Sequence, residues 1–364
     1  MNVLFAGGGT AGHINPAIAI AQEIRKRNKK SRIAFVGRNG GKENDLIKNA
    51  GFPMFLIEIQ GLSRSNPFKN LKVVANALKS KKVAKDIITT FSPDVVVGTG
   101  GYVCWPVISA AHDLGIKTII HESNASLGLT TKFLMRKCDL LLLGFENRNT
   151  RKKNVVISGI PLQENFIPTN KDSAKMHLGI PRDKSLIVSV GGSIGAKNIN
   201  DCCIEVMKNY SQSDESVYHI HSTGHRYFDE IKKSEPDLCE GKDGCKILPY
   251  IKDMATMLSA ADVVITRCGA VTLAEISFCQ TPSILIPSPN VTGNHQKKNA
   301  ELFERVGAGI MIEESDLSPI LLYEKINSII KDKGTIDKMR KNCKAVSLSS
   351  PASKIADTIE EMTS

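Results

Sequence analysis

Three glycine-rich stretches occupy positions where the chain could bind phosphate groups. They are GGGTAGH at 7–13, GTGGY at 98–102 and GGSIGA at 191–196. A glycine-rich turn at the end of a strand lets backbone N–H groups approach a phosphate, and the following helix N-terminus adds positive potential. One such stretch could equally be a tight structural turn. Three of them, divided between two halves of the chain, predict a site for a diphosphate.

The common nucleotide-binding motifs do not account for these stretches. A dinucleotide fingerprint requires a ribose-binding acid at the end of the second strand, where this sequence has Phe35-Val36-Gly37-Arg38. The P-loop pattern G-x-x-x-x-G-K-[ST] is absent as well. The sequence therefore argues against a dehydrogenase and against the common ATPases and GTPases.

Each half of the chain opens with a strand, a glycine turn and a helical pattern. The strands are Val3–Ala6 and Leu186–Val190, and glycine and proline near 159–161 mark the linker between the halves. Because 364 residues is about twice a typical domain length, the repeated opening predicts two Rossmann-like α/β domains. Further buried parallel strands are expected at Arg32–Val36, Val95–Val97, Thr118–Ile120, Leu140–Leu143, Val155–Ile157, Val263–Thr266 and Ser283–Ile286.

The composition predicts a water-soluble cytoplasmic protein. The chain is 41% hydrophobic and 23% charged, with no run of about 18 apolar residues and no signal-peptide pattern at residues 1–8. Its nine cysteines are odd in number, scattered and without CxxC spacing, so reduced and mostly buried thiols are expected and no metal site. The net charge of +11 is uneven, since residues 1–160 hold 24 basic and 10 acidic residues and residues 161–364 hold 24 and 27.

Six stretches resemble the MurG family in order, spacing and residue identity. They are GGGTAGHINPA (7–17), VVGTGGYVCWP (96–106), HESNASLGLTTK (121–132), SVGGSIGA (189–196), ADVVITRCGAVTLAEI (261–276) and NHQKKNAE (294–301). That family comprises bacterial N-acetylglucosaminyltransferases that convert lipid I into lipid II during peptidoglycan synthesis. The resemblance implies an inverting transfer without metal or cofactor, from UDP-GlcNAc to the 4-hydroxyl of MurNAc in undecaprenyl-diphospho-MurNAc-pentapeptide.

The resemblance also implies a GT-B fold, in which two Rossmann-like domains face each other across a cleft. Residues 1–160 would bind the acceptor and the membrane, and residues 161–340 would bind UDP-GlcNAc. Residues 341–364 would form a helix that packs back on the N-terminal domain. The expected location is the cytoplasmic face of the cell membrane, as a peripheral protein.

In the N-terminal half, the resemblance places acceptor binding on the first glycine loop. Thr10, Ala11 and Gly12 would bind the acceptor diphosphate, and Asn124 would contact the GlcNAc. His13 is the predicted general base, because an imidazole with a near-neutral pKa can accept the proton of the attacking hydroxyl. The alternative is that His13 only binds the acceptor or packs the loop. His121 is a weaker candidate, since HESN looks like a structural corner.

In the C-terminal half, the resemblance assigns residues to each part of the donor. Glu275 would accept hydrogen bonds from both ribose hydroxyls, although alone it could be a solvated helix residue. The backbone of Ile251 would read the uracil edge, and Ser193 would bond a phosphate. Gln296 and Asn299 would reach hydroxyls of the transferred sugar. The donor diphosphate would lie at a helix start that includes Ala270, Val271, Thr272, Leu273 and Ala274.

Gln163 is a departure from the family pattern. Many members have an arginine in a GNPVR-like hinge segment, where this sequence has GIPLQ at 159–163. Glutamine lacks the guanidinium charge, so Gln163 would bind the donor through hydrogen bonds alone.

The basic stretch 62–86 is the predicted contact with an anionic membrane surface. It holds seven basic residues and one acid, with an apolar stripe at helical spacing formed by Phe68, Leu71, Val74, Ala75 and Leu78. The alternative is a solvated helix that packs this stripe on the sheet.

The sequence disfavours four other functions. A diacylglycerol glycosyltransferase or a UDP-GlcNAc 2-epimerase would share the fold, but neither is expected to carry both the HINPA and GTGGYV loops. A nucleic-acid-binding module would suit the basic half, but the chain has one Trp and six Tyr and no recognisable RRM, KH or helix-turn-helix pattern. An inactive scaffold is disfavoured by the presence of both His13 and Glu275.

Overall fold

A computed structural model describes residues 1–41, 44–61, 67–146, 154–213, 216–241 and 244–364. The chain divides into two compact units. Unit 1 contains residues 1–165 and 348–364, and unit 2 contains residues 166–347. Among the described residues, no helix has the length and apolar character that a membrane crossing requires.

Unit 1 is built on a parallel sheet of seven strands in the order β3-β2-β1-β4-β5-β6-β7. The strands are β1 Asn2–Ala6, β2 Arg32–Arg38, β3 Met54–Ile57, β4 Val95–Gly98, β5 Lys117–Glu122, β6 Leu140–Leu143 and β7 Val155–Ile157. Helices lie between the first six strands: α1 Ala11–Arg27, α2 Asn44–Asn49, α3 Pro67–Phe91, α4 Cys104–Asp113 and α5 Leu129–Leu134. The central strands are apolar along their length and buried on both faces, as parallel sheets covered by helices require.

Unit 2 repeats this architecture with six parallel strands in the order β10-β9-β8-β11-β12-β13. The strands are β8 Ser185–Val190, β9 Val217–Ser222, β10 Cys245–Leu248, β11 Val263–Thr266, β12 Ser283–Leu285 and β13 Gly309–Met311. The helices are α6 Lys171–His177, α7 Lys197–Ser213, α8 His225–Ser234, α9 Pro236–Glu240, α10 Met254–Ala260, α11 Ala270–Cys279, α12 His295–Arg305, α13 Pro319–Ile330 and α14 Lys333–Val346. A 3₁₀ turn spans Thr292–Asn294.

The chain returns to unit 1 through its last helix, α15 Pro351–Thr363. Ile355 and Ile359 are fully buried against the apolar face of α1. At the rim, the Arg27 guanidinium lies 2.5 Å from Asp357 Oδ1 and 3.2 Å from Glu360 Oε2. An apolar stripe and a charged rim therefore both attach α15 to α1.

In both units the first strand lies inside the sheet and reverses the strand order. β1 pairs with β2 on one side and β4 on the other, and β8 pairs with β9 and β11 in the same way. In such sheets ligands bind outside the carboxyl ends of the strands at the reversal. The prediction of two Rossmann-like domains is confirmed, and all three glycine stretches follow strands at these positions.

The boundaries differ from those expected from the sequence. The units change at 165/166, and not at 160/161, because residues 161–165 belong to unit 1. The expected boundary at 340/341 falls inside α14, which buries Ile336, Met339 and Cys343 in unit 2. The second change of unit therefore comes at 347/348, after that helix has ended.

Candidate functional site

The two glycine loops of unit 1 contact each other at the carboxyl ends of β1 and β4. The Gly8 N–H donates to the Gly100 carbonyl at 3.3 Å. A Cβ on Gly101 would lie 2.0 Å from the Gly8 carbonyl oxygen, and Gly101 has a φ of 81°. The close approach of these two loops therefore requires glycine at 101.

His13 lies in the first turn of α1 with its ring held between these loops. Its Nδ1 is 2.9 Å from the Gly8 carbonyl oxygen. A carbonyl only accepts, so Nδ1 carries the hydrogen and Nε2 is the basic nitrogen of the neutral ring. A Cβ on Gly100 would lie 2.5 Å from His13 Cδ2, so the ring rests directly on the second loop. This geometry suits a general base that acts through Nε2.

The N-terminus of α1 could bind an anion beside His13. Thr10 is the N-cap residue in extended conformation, and its own side chain makes no capping hydrogen bond among the described residues. Thr10 and Ala11 are exposed, and Gly12 is half-buried. The first N–H groups of a helix have no partner within the helix. The three predicted acceptor residues thus surround a helix end with the polarity that a phosphate needs.

The Cys104 side chain contacts the second glycine loop. The sequence analysis did not predict this role. The Gly100 N–H donates to the Cys104 sulfur at 3.1 Å, and the sulfur lies 3.0 Å from the Ala6 carbonyl oxygen. Burial raises the pKa of the Cys104 thiol to about 12. The thiol therefore stays protonated and can donate at any physiological pH. The sequence offers one indication of this contact, which is the position of Cys104 four residues after Gly100.

Asn124 follows β5 and is held by Glu122, a second residue that the sequence analysis missed. The Glu122 carboxylate is 5% exposed. Its Oε1 accepts from the Asn124 backbone N–H at 3.1 Å and from Asn124 Nδ2 at 3.0 Å. Its Oε2 accepts from the Gly128 N–H at 2.9 Å and from the Thr131 hydroxyl at 2.7 Å. This carboxylate therefore fixes both the Asn124 side chain and the start of α5.

His121 and Gln163 do not join this arrangement. His121 is fully buried, its Nε2 lies 2.9 Å from the Gly159 carbonyl oxygen, and burial lowers its pKa. It is a structural residue, as the HESN pattern indicated. Gln163 is half-buried after β7, and in the described part of the chain its amide makes no hydrogen bond.

In unit 2 the glycine loop after β8 packs against the turn after β9. A Cβ on Gly195 would lie 2.0 Å from the Thr223 carbonyl oxygen, and one on Gly224 would lie 2.4 Å from the Gly195 nitrogen. Asn200 Nδ2 donates to the Thr223 carbonyl at 3.0 Å. The predicted phosphate ligand Ser193 is exposed on this loop. The third glycine stretch is thus also held in a defined conformation by close backbone contacts.

Helix α11 follows a short turn after β11, and its N-cap residue has no side chain that could cap the helix. Gly269 is the N-cap residue. Ala270 is buried, while Val271 and Thr272 are half-buried. These features suit a helix start that binds an anion through backbone N–H groups.

Leu273 and Ala274 require a different interpretation from the predicted one. Leu273 is fully buried, and its N–H donates to the Gly269 carbonyl at 3.0 Å. It anchors α11 to the core and offers neither side chain nor N–H to a ligand. Ala274 is half-buried and carries only a methyl group.

Glu275 is a half-buried carboxylate on α11 that has no hydrogen-bond donor among the described residues. Burial raises its pKa to about 7. A carboxylate in this state gains from any ligand that brings hydroxyl donors to it. Its environment favours the predicted role over that of a solvated helix residue.

Gln296 and Asn299 of α12 both bind the turn between β11 and α11. Gln296 Oε1 accepts from the Cys268 N–H at 3.2 Å and from the Ser288 N–H at 2.9 Å. Only its Nε2 group is left to donate to a sugar hydroxyl. Asn299 is 0% exposed and donates from Nδ2 to the Cys268 carbonyl at 3.0 Å. Asn299 therefore positions the turn, and the predicted sugar contact is incompatible with its burial.

Ile251 lies between β10 and α10 with its side chain buried to 4% exposure. Any contact with a base would therefore use its backbone, as predicted. The neighbouring Tyr250 is 46% exposed, and its ring stacks on His225 at 5.7 Å with an interplanar angle of 16°. A stacked pair of rings, one at the start of α8 and one in the loop after β10, thus adjoins the residue predicted to bind the base.

Arg267 is a further residue of the β11 turn that the sequence analysis did not single out. Its guanidinium pairs in bidentate fashion with Glu314, at 2.8 and 3.1 Å, and both side chains are about 15% exposed. Asn198 Nδ2 donates to the same carboxylate at 2.9 Å. This pair fixes the turn before α11 relative to the start of α7.

The chain is similar to known proteins along its whole length. The glycosyltransferase family 28 N-terminal domain matches residues 3–142, and the family 28 C-terminal domain matches residues 186–359. The chain is 39% identical to the UDP-N-acetylglucosamine–N-acetylmuramyl-(pentapeptide) pyrophosphoryl-undecaprenol N-acetylglucosamine transferase of Acetivibrio thermocellus, over 100% of this chain and 98% of that protein. It is 42% identical to the protein of the same name from Thermoanaerobacter sp., over the full length of both.

Solved structures share the fold. MurG of Acinetobacter baumannii aligns over 99% of both chains with a TM-score of 0.79 and 24% identity. A glycosyltransferase of kitacinnamycin aligns over 99% of this chain and 98% of that one, with a TM-score of 0.73 and 15% identity. At these identities the alignments support the two-domain GT-B fold alone. The full-length relatives and both domain matches carry the assignment further: the chain belongs to glycosyltransferase family 28 and, within it, to the MurG family.

Proposed function

We propose that this protein transfers GlcNAc from UDP-GlcNAc to the 4-hydroxyl of MurNAc in undecaprenyl-diphospho-MurNAc-pentapeptide, and so converts lipid I into lipid II. The observation that carries the proposal is identity of about 40% along the whole chain to relatives named for this reaction. The arrangement of ionisable groups and helix ends in each unit supports it independently.

The acceptor half of the reaction is assigned to unit 1. The N-terminus of α1, with Thr10, Ala11 and Gly12, binds the acceptor diphosphate. His13 Nε2 removes the proton of the 4-hydroxyl as that oxygen attacks C1 of GlcNAc from the face opposite UDP. The C1–O bond to UDP breaks with its electron pair, and the configuration at C1 inverts. The proton remains on His13, whose Nδ1–H is already bonded to Gly8.

The donor half is assigned to unit 2. Glu275 accepts both ribose hydroxyls, and the backbone of Ile251 bonds the uracil edge. The diphosphate lies at the N-terminus of α11, with Ser193 as a second ligand, and the Nε2 group of Gln296 donates to the sugar. Gln163, which belongs to unit 1, is the further residue expected to bind the donor, through hydrogen bonds without charge. Backbone dipoles stabilise the departing UDP, so we expect no metal requirement.

The test is conversion of a lipid I analogue with radiolabelled UDP-GlcNAc, with UDP-glucose and EDTA as controls. We expect lipid II in the presence of EDTA. His13→Gln should lower kcat by about 10²- to 10⁴-fold, the usual range for loss of a general base. Glu275→Ala should raise the KM for UDP-GlcNAc at least about tenfold. A glycosylated diacylglycerol, or ManNAc released from the donor, would instead identify one of the two enzymes with the same fold.

We further propose that unit 1 binds the cytoplasmic face of the cell membrane peripherally through the surface around α3. Residues 62–66 and the side chains of Phe68, Leu71 and Val74 lie outside the described part of the structure. The rest of the predicted stripe, Ala75 and Leu78, is exposed, with Leu78 at 58%. The helix packs on the sheet through a different face, which includes Ala84, Ile88 and Phe91. The exposure of Ala75 and Leu78 favours a lipid contact over the solvated-helix alternative.

The lysines of α3 divide into two kinds. Lys81 and Lys85 both pair with Asp113 of α4, at 2.7 and 3.0 Å. Lys79 and Lys82 are exposed and form no ion pair with any described residue. The second kind is the one expected to bind anionic lipid.

Helix α5, which like α3 packs against α4, carries a second group of exposed apolar side chains. Leu129 and Phe133 are 54% and 62% exposed on successive turns, and Lys132 beside them is also exposed. Large apolar side chains with adjacent cations suit the headgroup region of an anionic leaflet. We do not expect nucleic acid to be a ligand, and binding to short DNA tighter than to anionic vesicles would contradict this proposal.

A further inference from the structure

A hydrogen-bonded bridge connects the two parts of unit 2 that are assigned to the donor diphosphate. The glycine loop 191–196 leads directly into α7, and the turn 267–269 leads directly into α11. These two segments follow β8 and β11, which are neighbours in the sheet. The two phosphates of a diphosphate share an oxygen atom, so their spacing is nearly constant. A site that binds both phosphates must therefore hold its two segments at a matching distance.

Glu314 forms this bridge from a third segment, the loop after β13. Its Oε1 accepts from Arg267 Nη2 at 3.1 Å and from Asn198 Nδ2 at 2.9 Å, so a single oxygen joins both partners. Its Oε2 accepts from Arg267 Nη1 at 2.8 Å. Asn198 is the second residue of α7, and Arg267 is the first residue after β11. The carboxylate therefore holds the start of α7 and the turn before α11 together.

The bridge is most rigid at Arg267. Bidentate pairing of a guanidinium with a carboxylate fixes the orientation of both groups as well as their distance. Arg267 Nη1 also donates to the Ile286 carbonyl at 3.3 Å, just after β12. The two side chains are only 15% and 14% exposed, so water competes little for these bonds. Because both of its terminal nitrogens are bound and its charge is offset, Arg267 is better suited to shaping the turn than to binding a phosphate.

We propose that Glu314 is a positioning residue for the diphosphate of the donor nucleotide. It sets the N-terminus of α11 and the Ser193 hydroxyl at the spacing that two linked phosphates require. This inference rests on the proposed function, which assigns the donor diphosphate to these two groups. All the residues that carry it belong to unit 2.

The consequence is a preference for a diphosphate over a monophosphate that depends on a side chain without ligand contact. UMP can place its phosphate at one of the two segments, whereas UDP needs both at the correct spacing. A displacement of about 0.5 Å is enough to weaken a site of this kind. Loss of the bridge should therefore weaken the binding of UDP more than the binding of UMP.

The experiment measures the Kd of UDP and of UMP by titration calorimetry on the full-length protein. We expect the wild type to bind UDP at least about tenfold more tightly than UMP, because the second phosphate adds charge-assisted hydrogen bonds. Glu314→Ala should reduce this ratio to about threefold or less. Asn198→Ala should lower the ratio by a smaller factor, and the double variant should match Glu314→Ala, because Asn198 acts through Glu314.

Two controls separate positioning from loss of structure and from loss of charge. The ratio of two Kd values measured on one protein does not depend on the fraction that is folded. Glu313→Ala removes the same charge from the neighbouring residue, which pairs with Lys297 of α12 at 2.6 Å, and it should keep the wild-type ratio. If Glu314→Ala does not fold, Glu314→Gln keeps the length of the side chain with one acceptor oxygen fewer, and it should also lower the ratio.

Three outcomes would overturn the inference. The first is a wild-type ratio in both Glu314 variants, and the second is an equal loss of affinity for UDP and UMP, which would assign Glu314 to the fold. The third is tighter binding of UDP by Glu314→Ala, which would show that Arg267 binds phosphate once its partner is removed. Each leaves the proposed function intact if the wild type binds UDP and makes lipid II. A wild type that binds no UDP would instead refute the proposed donor.

Discussion

Two glutamates, one at the end of β5 in unit 1 and one on α11 in unit 2, are in opposite states. Glu122 in unit 1 accepts four hydrogen bonds from residues of its own loop and helix. Glu275 in unit 2 has no donor among the described residues, and burial raises its pKa to about 7. A satisfied carboxylate stabilises the fold, whereas an unsatisfied one lowers stability unless a ligand supplies the missing donors.

The same contrast occurs among the lysines of α3. Lys81 and Lys85 are paired with Asp113, and Lys79 and Lys82 are exposed without an ion pair among the described residues. We expect charged side chains that are paired within the protein to stabilise the fold. We expect unpaired ones to bind a ligand or the membrane. The following predictions test that rule in both cases.

The largest effect is expected for Glu122→Gln. The introduced amide has one acceptor oxygen in place of the two carboxylate oxygens, so at least one buried donor loses its partner. The free energy of unfolding should therefore fall by about 3 kcal/mol. Urea denaturation monitored by circular dichroism measures this change. A variant as stable as the wild type would mean that the four hydrogen bonds of Glu122 contribute little to stability. The proposed difference between Glu122 and Glu275 would then be wrong.

The next effect concerns the unpaired lysines. Replacing Lys79 and Lys82 with Ala should weaken binding to phosphatidylglycerol vesicles by about 2 kcal/mol, at about 1 kcal/mol for each cation near the surface. Replacing Lys81 and Lys85 instead should weaken it less, because Asp113 already offsets their charge. Co-sedimentation with vesicles at two salt concentrations compares the two double variants. An equal loss of vesicle binding in both would contradict the distinction between paired and unpaired lysines.

Glu275→Gln should act in the direction opposite to Glu122→Gln. The folded-state pKa of Glu275 is raised from 4.5 to about 7, so the native state binds more protons than the unfolded state between these values, and stability falls as pH rises. The shift corresponds to roughly 3 kcal/mol at pH 8, and partial solvent exposure of Glu275 reduces the expected stabilisation on removing the charge to about 2 kcal/mol. The gain should shrink towards pH 5, where wild-type Glu275 is already protonated in the folded protein. Destabilisation at pH 8 would indicate that the carboxylate has partners in solution.

The smallest effect is the pH dependence of donor binding. Ribose hydroxyls favour the charged carboxylate, so affinity for UDP-GlcNAc should be highest above pH 7 and fall about tenfold between pH 8 and pH 6. Titration calorimetry on the wild type and on Glu275→Gln measures it. The variant should bind more weakly and lose this slope, and an unchanged slope would assign the titration to another group.

The sequence was sufficient for the fold and for most of the chemistry. Apolar runs such as Leu140–Leu143 and Val263–Thr266 were predicted with the observed bounds, because a strand buried on both faces leaves a continuous hydrophobic signal. The strands Met54–Ile57, Val217–Ser222, Cys245–Leu248 and Gly309–Met311 were missed. They are edge or near-edge strands, short or rich in polar residues, and that signal is weaker there.

For the site, motifs identified the residue types but not their surroundings. His13 and Glu275 were found because they lie beside glycine turns with a recognisable order. Asn299 and Leu273 belong to the same motifs, yet they are fully buried and serve the fold. Residue identity alone cannot separate a ligand contact from a support, since both use the same hydrogen-bonding groups.

What the sequence determined by itself was the repeated strand, turn and helix order and the set of chemically able residues, because both depend on neighbours along the chain. Only the tertiary structure decided that Gly100 rests against His13, that Glu122 is satisfied and that Glu275 is not. These states depend on contacts between strands and loops far apart in sequence, and on burial, which changes the free energy of a charge without changing its identity.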